Sequence, residues 1–413
     1  MVDENPGDLH KNLKNEEAKS WKEKGNQFYH QDNFPGALNC FDAAIKIDLH
    51  YFDAWNARGV TLDELGRHEE ALESYDNALK INPDYSKAWV NRGVTLTHLG
   101  RHEEALESLD KALKINPDYF DAWYNRGKIL QQIGQYKVAI ESFDKALEID
   151  PDISDAWCNR GIALGLLKRP DVAIKSFDKA LGIDPRNSET WYYRGIALDE
   201  LSRYDDGVAS YDKALKINPD YSYAWYNRGV ALGHLQRYEE AITSFDKALK
   251  INPADVYPWY NRGMALGLLQ RYEEAIESYD NVLEIDSGNP DAWYNRGAAL
   301  GHLQRYEEAI ESFDKAIVIN PDDSRAWYNQ GATYGDLGRY EEAIASYDKA
   351  LAINPDYFDA WNNRGGMLCY LGRHEEAIAS FDKALTINPD DDFASNNREF
   401  AIKLKNEKPP SLV

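Results

Sequence analysis

The stretch DAWYNRGKILQQIGQYKVAIESFDKALEIDP, residues 121–151, carries two helical patterns separated by a break. Within residues 123–133, an apolar residue or glycine recurs every three or four positions, which places these residues on one helical face. The Gly134–Gln135 pair interrupts the pattern, and a second apolar stripe occupies residues 139–147. The Asp-Pro dipeptide that follows ends the second helix. The stretch therefore predicts a hairpin of two helices.

The same unit recurs along almost the whole chain. Its eleven tryptophans are spaced by 34 residues without exception: Trp21, Trp55, Trp89, Trp123, Trp157, Trp191, Trp225, Trp259, Trp293, Trp327 and Trp361. A glycine follows each tryptophan by four residues, and an aspartate follows each by 21. A single hairpin cannot bury its own apolar faces, whereas stacked neighbours can. The repetition therefore predicts a continuous array of helix pairs.

This unit, which reads W-x2-R-G-x2-L in most copies, then A-x3-F and a closing proline, resembles the tetratricopeptide repeat, whose pattern is W-x2-L-G-x2-Y, A-x3-F and P. The resemblance covers residues 18–391 and implies an all-α, right-handed superhelical solenoid of antiparallel helix pairs. We expect residues 1–17 to form a polar leader, residues 392–406 a single polar capping helix, and residues 407–413 a tail. Two positions depart from the family pattern. Arginine replaces the leucine in nine copies, and the tyrosine is mostly leucine.

The arginine shares a helical face with the tryptophan and the glycine, so it points toward packed structure. An unpaired charge there is costly, and the aspartate of the unit is available as a partner. We predict Arg–Asp pairs within or between repeats, for example Arg126 with Asp144. Such pairs specify register more than they add stability, because desolvation offsets much of the attraction.

The opposite face of the first helix lines, by resemblance to the family, the concave groove in which ligand peptides usually lie. Asparagine follows the tryptophan by two residues in eight copies, and tyrosine precedes it in several. The predicted site residues are Asn91, Asn125, Asn159, Tyr226, Asn227, Tyr260, Asn261, Tyr294, Asn295, Tyr328, Asn329 and Asn363. A carboxamide offers both a donor and an acceptor to a peptide backbone. First helices spaced by roughly 10 Å match about three extended residues, so one asparagine could hold every third residue.

This ladder is similar to that of O-linked N-acetylglucosamine transferases, where it holds protein substrates; the catalytic domain of those enzymes is absent here. Two alternatives stay open. Near-identical repeats could simply copy idle asparagines. The first repeat also resembles the carboxylate clamp of chaperone adaptors through Lys22 and Asn26, and Lys87 stands at the matching place in the third repeat. Ala57 and Asn91 stand where the clamp needs an asparagine and a second basic residue.

The remaining features narrow the function class. A formal charge of −23 argues against nucleic acid or anionic lipid as a partner. No stretch has the length of apolar sequence that a membrane span or a secretory signal needs. Three scattered cysteines fit a reducing cytoplasm. No phosphate loop, nucleophile motif or zinc spacing occurs, so we expect no catalytic residue, metal or cofactor.

The sequence therefore predicts a non-catalytic, cytoplasmic adaptor that binds extended protein or peptide segments in its groove. The alternative is a scaffold that assembles from copies of this chain as a homo-oligomer. Concentration-dependent mass distinguishes the two, and the polar character expected of the capping helix weighs against end-to-end stacking.

Overall fold

The computed structural model of the chain describes residues 6–406, with side chains from residue 14 onward. The described residues divide into two compact units, residues 6–203 and residues 204–406. All regular structure in the described residues is α-helical, which confirms the all-α class and the tandem helix pairs. Residues 1–5 of the predicted leader and the whole of the predicted tail, residues 407–413, lie outside the described residues. No helix between residues 6 and 406 has the length and apolarity that crossing a membrane requires.

In the first unit, helices follow one another with short turns between them. They are α1 (Pro6–Tyr29), α2 (Phe34–Ile47), α3 (Phe52–Glu64), α4 (His68–Ile81), α5 (Ser86–His98), α6 (His102–Ile115), α7 (Phe120–Gln132), α8 (Tyr136–Ile149), α9 (Ser154–Leu166), α10 (Pro170–Ile183) and α11 (Ser188–Asp199). Helix α1 begins at Pro6, within the segment expected to be a leader.

The second unit continues the same alternation. Its helices are α12 (Tyr204–Ile217), α13 (Ser222–His234), α14 (Tyr238–Ile251), α15 (Val256–Leu268), α16 (Tyr272–Ile285), α17 (Pro290–His302), α18 (Tyr306–Ile319), α19 (Ser324–Asp336), α20 (Tyr340–Ile353), α21 (Phe358–Tyr370), α22 (His374–Ile387) and α23 (Asp392–Asn406).

Close approach of the two helices in a pair depends on the glycine that follows each tryptophan by four residues. A Cβ built on Gly127 would lie 2.6 Å from Cε1 of Phe143, and one on Gly263 would lie 2.7 Å from Cε1 of Tyr279. These distances are below van der Waals contact, so only glycine lets the aromatic ring of the second helix lie flat against the first. The repeated alanine, such as Ala139, is fully buried at the same contact.

The turn inside each pair ends the first helix through a residue in the left-handed region. Glycine adopts this conformation in some repeats, for example Gly134 with φ of 80°. In others a residue with a side chain does so, as Gln270 does with φ of 59°. The Gly134–Gln135 break in the sequence pattern thus corresponds to a left-handed helix end.

The arginine of a repeat can connect its own helix to two others, but its aspartate partner is not the one predicted for Arg126. Nε of Arg126 donates to Asp110 of the preceding repeat at 2.8 Å, and Nη1 donates to Ser142 of its own repeat at 2.7 Å. The pairing of Arg126 with Asp144 is wrong, because Asp144 accepts instead from Arg160. The aspartate side chain points toward the following repeat, so the arginine that reaches it belongs to the next unit. Pairing between repeats is the form that occurs.

Candidate functional site

The predicted tyrosines and asparagines join each other across repeat boundaries. In the second unit, Nδ2 of four of the asparagines donates to the hydroxyl of the tyrosine 35 residues earlier. The pairs are Asn261–Tyr226 at 3.2 Å, Asn295–Tyr260 at 3.0 Å, Asn329–Tyr294 at 2.9 Å and Asn363–Tyr328 at 3.0 Å. All eight side chains are half-buried on first helices. The structure therefore places them in one continuous ladder.

This bonding changes what each asparagine can offer to a ligand. Both amide hydrogens of Asn261 are engaged, one by Tyr226 and one by the backbone carbonyl of Tyr257 at 2.9 Å. Across residues 14–406, the Oδ1 atoms of these four asparagines accept no hydrogen bond from the protein. Asn261 therefore offers a ligand its Oδ1 atom but no free amide hydrogen, whereas the bonds of Asn295, Asn329 and Asn363 to tyrosine engage one amide hydrogen each.

The tyrosine of each pair supplies a hydroxyl donor beside the asparagine. Its oxygen accepts from the asparagine, and its own O–H remains to be donated. Burial raises the pKa of Tyr226, Tyr260, Tyr294 and Tyr328, so their hydroxyls stay protonated at neutral pH. A donor from one repeat and an acceptor from the next therefore stand side by side, which is the pair that a peptide unit requires.

The other predicted asparagines lie on first helices but bond differently. Asn91 donates to Oδ1 of the buried Asn56 at 2.9 Å, and Asn125 donates to the carbonyl of Asp121 at 2.8 Å. Asn159 follows the ladder pattern with Tyr124 at 3.2 Å. Asn227 is half-buried on α13. The tyrosine of the preceding repeat decides whether the ladder forms, and Asn56 or Val90 occupies its position before Asn91 and Asn125.

Beside the ladder, the second unit has two pockets of the same construction. One, of about 230 Å³, lies among α13, α14 and α15; the other, of about 270 Å³, lies among α15, α16 and α17. Their floors include Gly233 and Gly267, where an added Cβ would meet nothing within 4 Å. Asn261 and Asn295 line the respective rims. The sequence pattern already contained these glycines, but their side-by-side arrangement as pockets appears only in the fold.

A third and larger pocket, of about 620 Å³, occupies the equivalent place among α21, α22 and α23. It is open because Gly366 stands where Met264 stands in an earlier repeat. Its walls include Phe393 and Phe400 of α23, which are 67% and 57% exposed. Helix α23, the segment expected to be a polar capping helix, thus exposes two aromatic side chains. Asn397 of α23 donates to Asn362 at 3.4 Å and continues the ladder position into this helix.

Two histidines that line the pockets of the second unit, His234 and His302, stack on tyrosine rings. His234 lies 4.5 Å from Tyr204 and His302 lies 4.6 Å from Tyr272, with the ring planes nearly parallel. Each tyrosine opens a second helix, and its histidine closes the first helix of the next repeat. Within residues 14–406, no three potential ligands gather to hold a metal ion.

The cysteines and Lys22, two further features of the sequence, have defined environments in the structure. Burial raises the pKa of the thiols of Cys40, Cys158 and Cys369, to about 11 for Cys158, so they stay protonated at neutral pH. Lys22, a candidate clamp residue, forms an ion pair with Asp53 at 2.6 Å. Its charge is therefore balanced within the protein, which disfavours capture of a ligand carboxylate.

Sequence profiles of the tetratricopeptide repeat together match residues 52–175 and 192–391. Three profiles are described as "Tetratricopeptide repeat". The first matches residues 52–85, 120–153, 290–323, 324–357 and 358–391, the second matches 192–256, and the third matches 74–107, 142–175 and 244–277. A fourth profile, described as "TPR repeat", matches residues 95–134 and 266–304. No curated protein sequence matches the chain.

Solved structures with a similar fold include three helical-repeat proteins. YrrB, described as a TPR protein with an unusual peptide-binding site, is 24% identical over 45% of this chain and 96% of its own, with a TM-score of 0.41. The Cut9–Hcn1 hetero-tetramer of APC/C is 14% identical over 93% and 96%, with a TM-score of 0.44. Yeast Tom70 is 18% identical over 95% and 96%, with a TM-score of 0.37. These similarities are too low to bear on function.

Proposed function

We propose that this chain, which belongs to the tetratricopeptide-repeat family, is a non-catalytic, cytoplasmic scaffold that binds extended peptide segments along the first helices of its second unit. Repeats of this family bind protein or peptide partners. The observation that carries the proposal is the ladder formed by Asn261, Asn295, Asn329 and Asn363 with the preceding tyrosines. Its half-buried O–H donors and Oδ1 acceptors recur once per repeat.

A peptide backbone in an extended conformation needs the same two groups at regular intervals. Each peptide unit exposes one N–H and one C=O, and both lose water when the peptide enters a groove. The asparagine Oδ1 accepts from the N–H, and the tyrosine O–H donates to the C=O. Because these contacts involve only the backbone, they hold a segment without reading its sequence.

The test is affinity capture from the native cell's lysate with three forms of the chain. One variant carries alanine at Asn261, Asn295, Asn329 and Asn363. The matched control carries alanine at Asn218, Asn252, Asn320 and Asn354, which are exposed and end second helices outside the groove. We expect a defined set of proteins to bind the wild type and the control and to be lost from the ladder variant. Circular dichroism checks that all three are equally helical.

If the ladder variant captures the same proteins as the wild type, the asparagines are structural copies and the groove proposal fails. A second variant, in which phenylalanine replaces Tyr226, Tyr260, Tyr294 and Tyr328, tests the tyrosine part of each pair separately. It removes the O–H donors while it leaves the rings packed. A ligand held by the backbone should weaken in this variant as well.

Self-assembly remains the second candidate, and one observation favours it. Phe393 and Phe400 expose most of their area on α23, where a polar surface was expected. Exposed neighbouring aromatic side chains are typical of interaction surfaces. Sedimentation over a wide range of protein concentration tests whether copies of the chain associate through these two phenylalanines. If they do, the mass of the wild type should rise with concentration, and the mass of the Phe393→Ser, Phe400→Ser variant should stay constant. A constant monomer mass for both rules this candidate out.

A further inference from the structure

The two pockets on α13–α17 are copies of each other displaced by one repeat. Each contains a floor glycine, an alanine and an aromatic ring of the second helix, and the ladder asparagine of the next repeat. Met264 and Leu268 belong to both pockets, so they form the wall between them. A ligand that follows the groove therefore meets two equivalent cavities in succession.

These cavities suit uncharged, apolar side chains. Met264 is 43% exposed and Leu268 is 62% exposed, so both present apolar surface to the groove. The remaining lining consists of glycine, alanine, tyrosine, phenylalanine, asparagine, valine and histidine, with no Asp, Glu, Lys or Arg among the residues that line either pocket. A charged side chain would lose its hydration there without gaining a partner. An apolar side chain of leucine size would leave water at no such cost.

The spacing of the pockets restricts the conformation of the ligand. Helices α13, α15 and α17 pack in direct contact, so successive pockets are separated by about 8–10 Å, the usual distance between packed helices. Three residues of an extended chain cover about 10 Å. In a β-strand, side chains three residues apart point to opposite faces, since the direction alternates at every residue. In a polyproline II helix, three residues complete one turn, so every third side chain returns to the same face with a rise of about 9 Å.

We infer that the second unit selects a segment in the polyproline II conformation with bulky apolar side chains three residues apart, one for each pocket. The inference rests on the proposed function and adds the ligand's conformation and side-chain spacing. It also agrees with the ladder. A polyproline II segment makes no internal backbone hydrogen bonds, which leaves its carbonyls free for the tyrosine hydroxyls.

The test uses three synthetic, fluorescein-labelled peptides of identical composition, built from proline, serine and two leucines. The leucines are two, three or four positions apart, and binding to the full chain is followed by fluorescence anisotropy. We expect the peptide with leucines three apart to bind about tenfold more tightly than the other two, since only it can place both leucines in pockets.

A pocket-filling variant locates the binding. Gly267→Leu places a side chain into open space at the pocket floor, so it should fold normally and weaken the best peptide about tenfold. Gly165→Leu is the matched control, because Gly165 occupies the same position of its repeat in the first unit and an added Cβ there also meets nothing within 4 Å. This control should bind like the wild type.

The outcomes separate this inference from the proposed function. Equal affinity for all three peptides, lost in Gly267→Leu, overturns the three-residue spacing while groove binding survives. Binding that Gly267→Leu leaves unchanged overturns the assignment of the pocket. Absence of binding by every peptide also overturns the inference, and the lysate capture with the ladder variant then decides the proposed function by itself.

Discussion

The groove faces of the two units differ most at the residue that follows each tryptophan by eight. In the first unit this position carries polar side chains in four repeats, namely Asp63, Thr97, Gln131 and Asp199. In the second unit it is glycine in four repeats, namely Gly233, Gly267, Gly301 and Gly335. The helix-pair framework is the same in both. This position therefore carries mainly polar side chains in the first unit, whereas two of its glycines in the second unit, Gly233 and Gly267, line pockets.

Two of these polar side chains in the first unit, those of Thr97 and Asp63, are hydrogen-bonded within the protein; Thr97 donates to the backbone carbonyl of Gly93 at 2.8 Å. Asp63 accepts from the hydroxyl of Tyr75 at 2.8 Å and from Thr95, and its other oxygen lies 3.0 Å from Nδ1 of His68. Burial and the Asp63 carboxylate raise the pKa of Tyr75. In the second unit, the corresponding Tyr279 lies beside the pocket over Gly267. The same position of the repeat therefore carries a hydrogen-bonded carboxylate at Asp63 in the first unit and lines a pocket at Gly267 in the second.

The largest effect should come from the glycine that both units share. Gly263→Ala places a Cβ against the Tyr279 ring, and we expect a loss of about 2–3 kcal/mol in the free energy of unfolding. Gly267→Ala, one turn later in the same helix, meets open space and should instead gain about 0.5–1 kcal/mol. Urea unfolding followed by circular dichroism measures both. Similar values for the two variants would contradict the framework role of the first glycine.

The polar cluster of the first unit should contribute somewhat less. Asp63→Ala leaves the hydroxyl of Tyr75 without its acceptor, whereas Thr95 keeps the backbone carbonyl of Asn91 at 3.0 Å, and we expect a cost of about 1–3 kcal/mol. Asp336→Ala is the control, because Asp336 is exposed at the end of α19 and its loss should change stability by less than about 0.5 kcal/mol. Thermal unfolding compares them. Equal melting temperatures would mean that the cluster adds nothing to the first unit.

The helix-ending turn offers a smaller, stabilising change in the second unit. Gln270 adopts φ of 59°, a conformation that costs a residue with a side chain about 1 kcal/mol relative to glycine. Gln270→Gly should therefore raise the melting temperature, and Gly338→Gln, at the equivalent turn with φ of 73°, should lower it. If both changes lower the melting temperature, the side chain of Gln270 makes a contribution that outweighs its backbone conformation.

The smallest effect concerns the one repeat of the second unit that lacks the arginine. Gln330 donates to Asp314 at 2.6 Å, and burial raises the pKa of this carboxyl group. A carboxyl group with a raised pKa in the folded state favours folding below its unfolded value, near 3.9, and loses that contribution as the pH rises. Gln330→Arg should reverse the shift, as the charge of Arg296 pairs with Asp280.

The gain expected from Gln330→Arg at pH 7 is no more than about 0.5 kcal/mol, because the carboxylate of Asp314 is largely exposed and water screens the pair. The gain should shrink as the pH falls toward 3 and the carboxylate takes up a proton. Urea unfolding at both pH values measures it. A gain that is the same at pH 3 would indicate packing and not charge.

Several features of the site could be predicted from sequence, and others depended on contacts between repeats. The 34-residue period located Asn261, Asn295 and their tyrosines on one helical face, because position on a face depends only on helical geometry. Their mutual hydrogen bonds were not foreseen. Those bonds join residues 35 apart on separate helices, and the sequence pattern does not say which neighbour each side chain reaches. The same limit led to the wrong partner for Arg126.

By itself, the sequence determined the helix pairs, their order and which residues face each other within a pair, since these follow from local periodicity and from a glycine–aromatic contact repeated in almost every unit. Only the tertiary structure decided which groups remain available to a ligand. It joined each ladder asparagine to the tyrosine of the preceding repeat and left the Oδ1 atoms of these asparagines without a donor among residues 14–406. It also opened pockets over Gly233 and Gly267 and exposed Phe393 and Phe400. The physical reason is that hydrogen-bond satisfaction and cavity volume are properties of packed neighbours, and a linear pattern does not contain the distances between them.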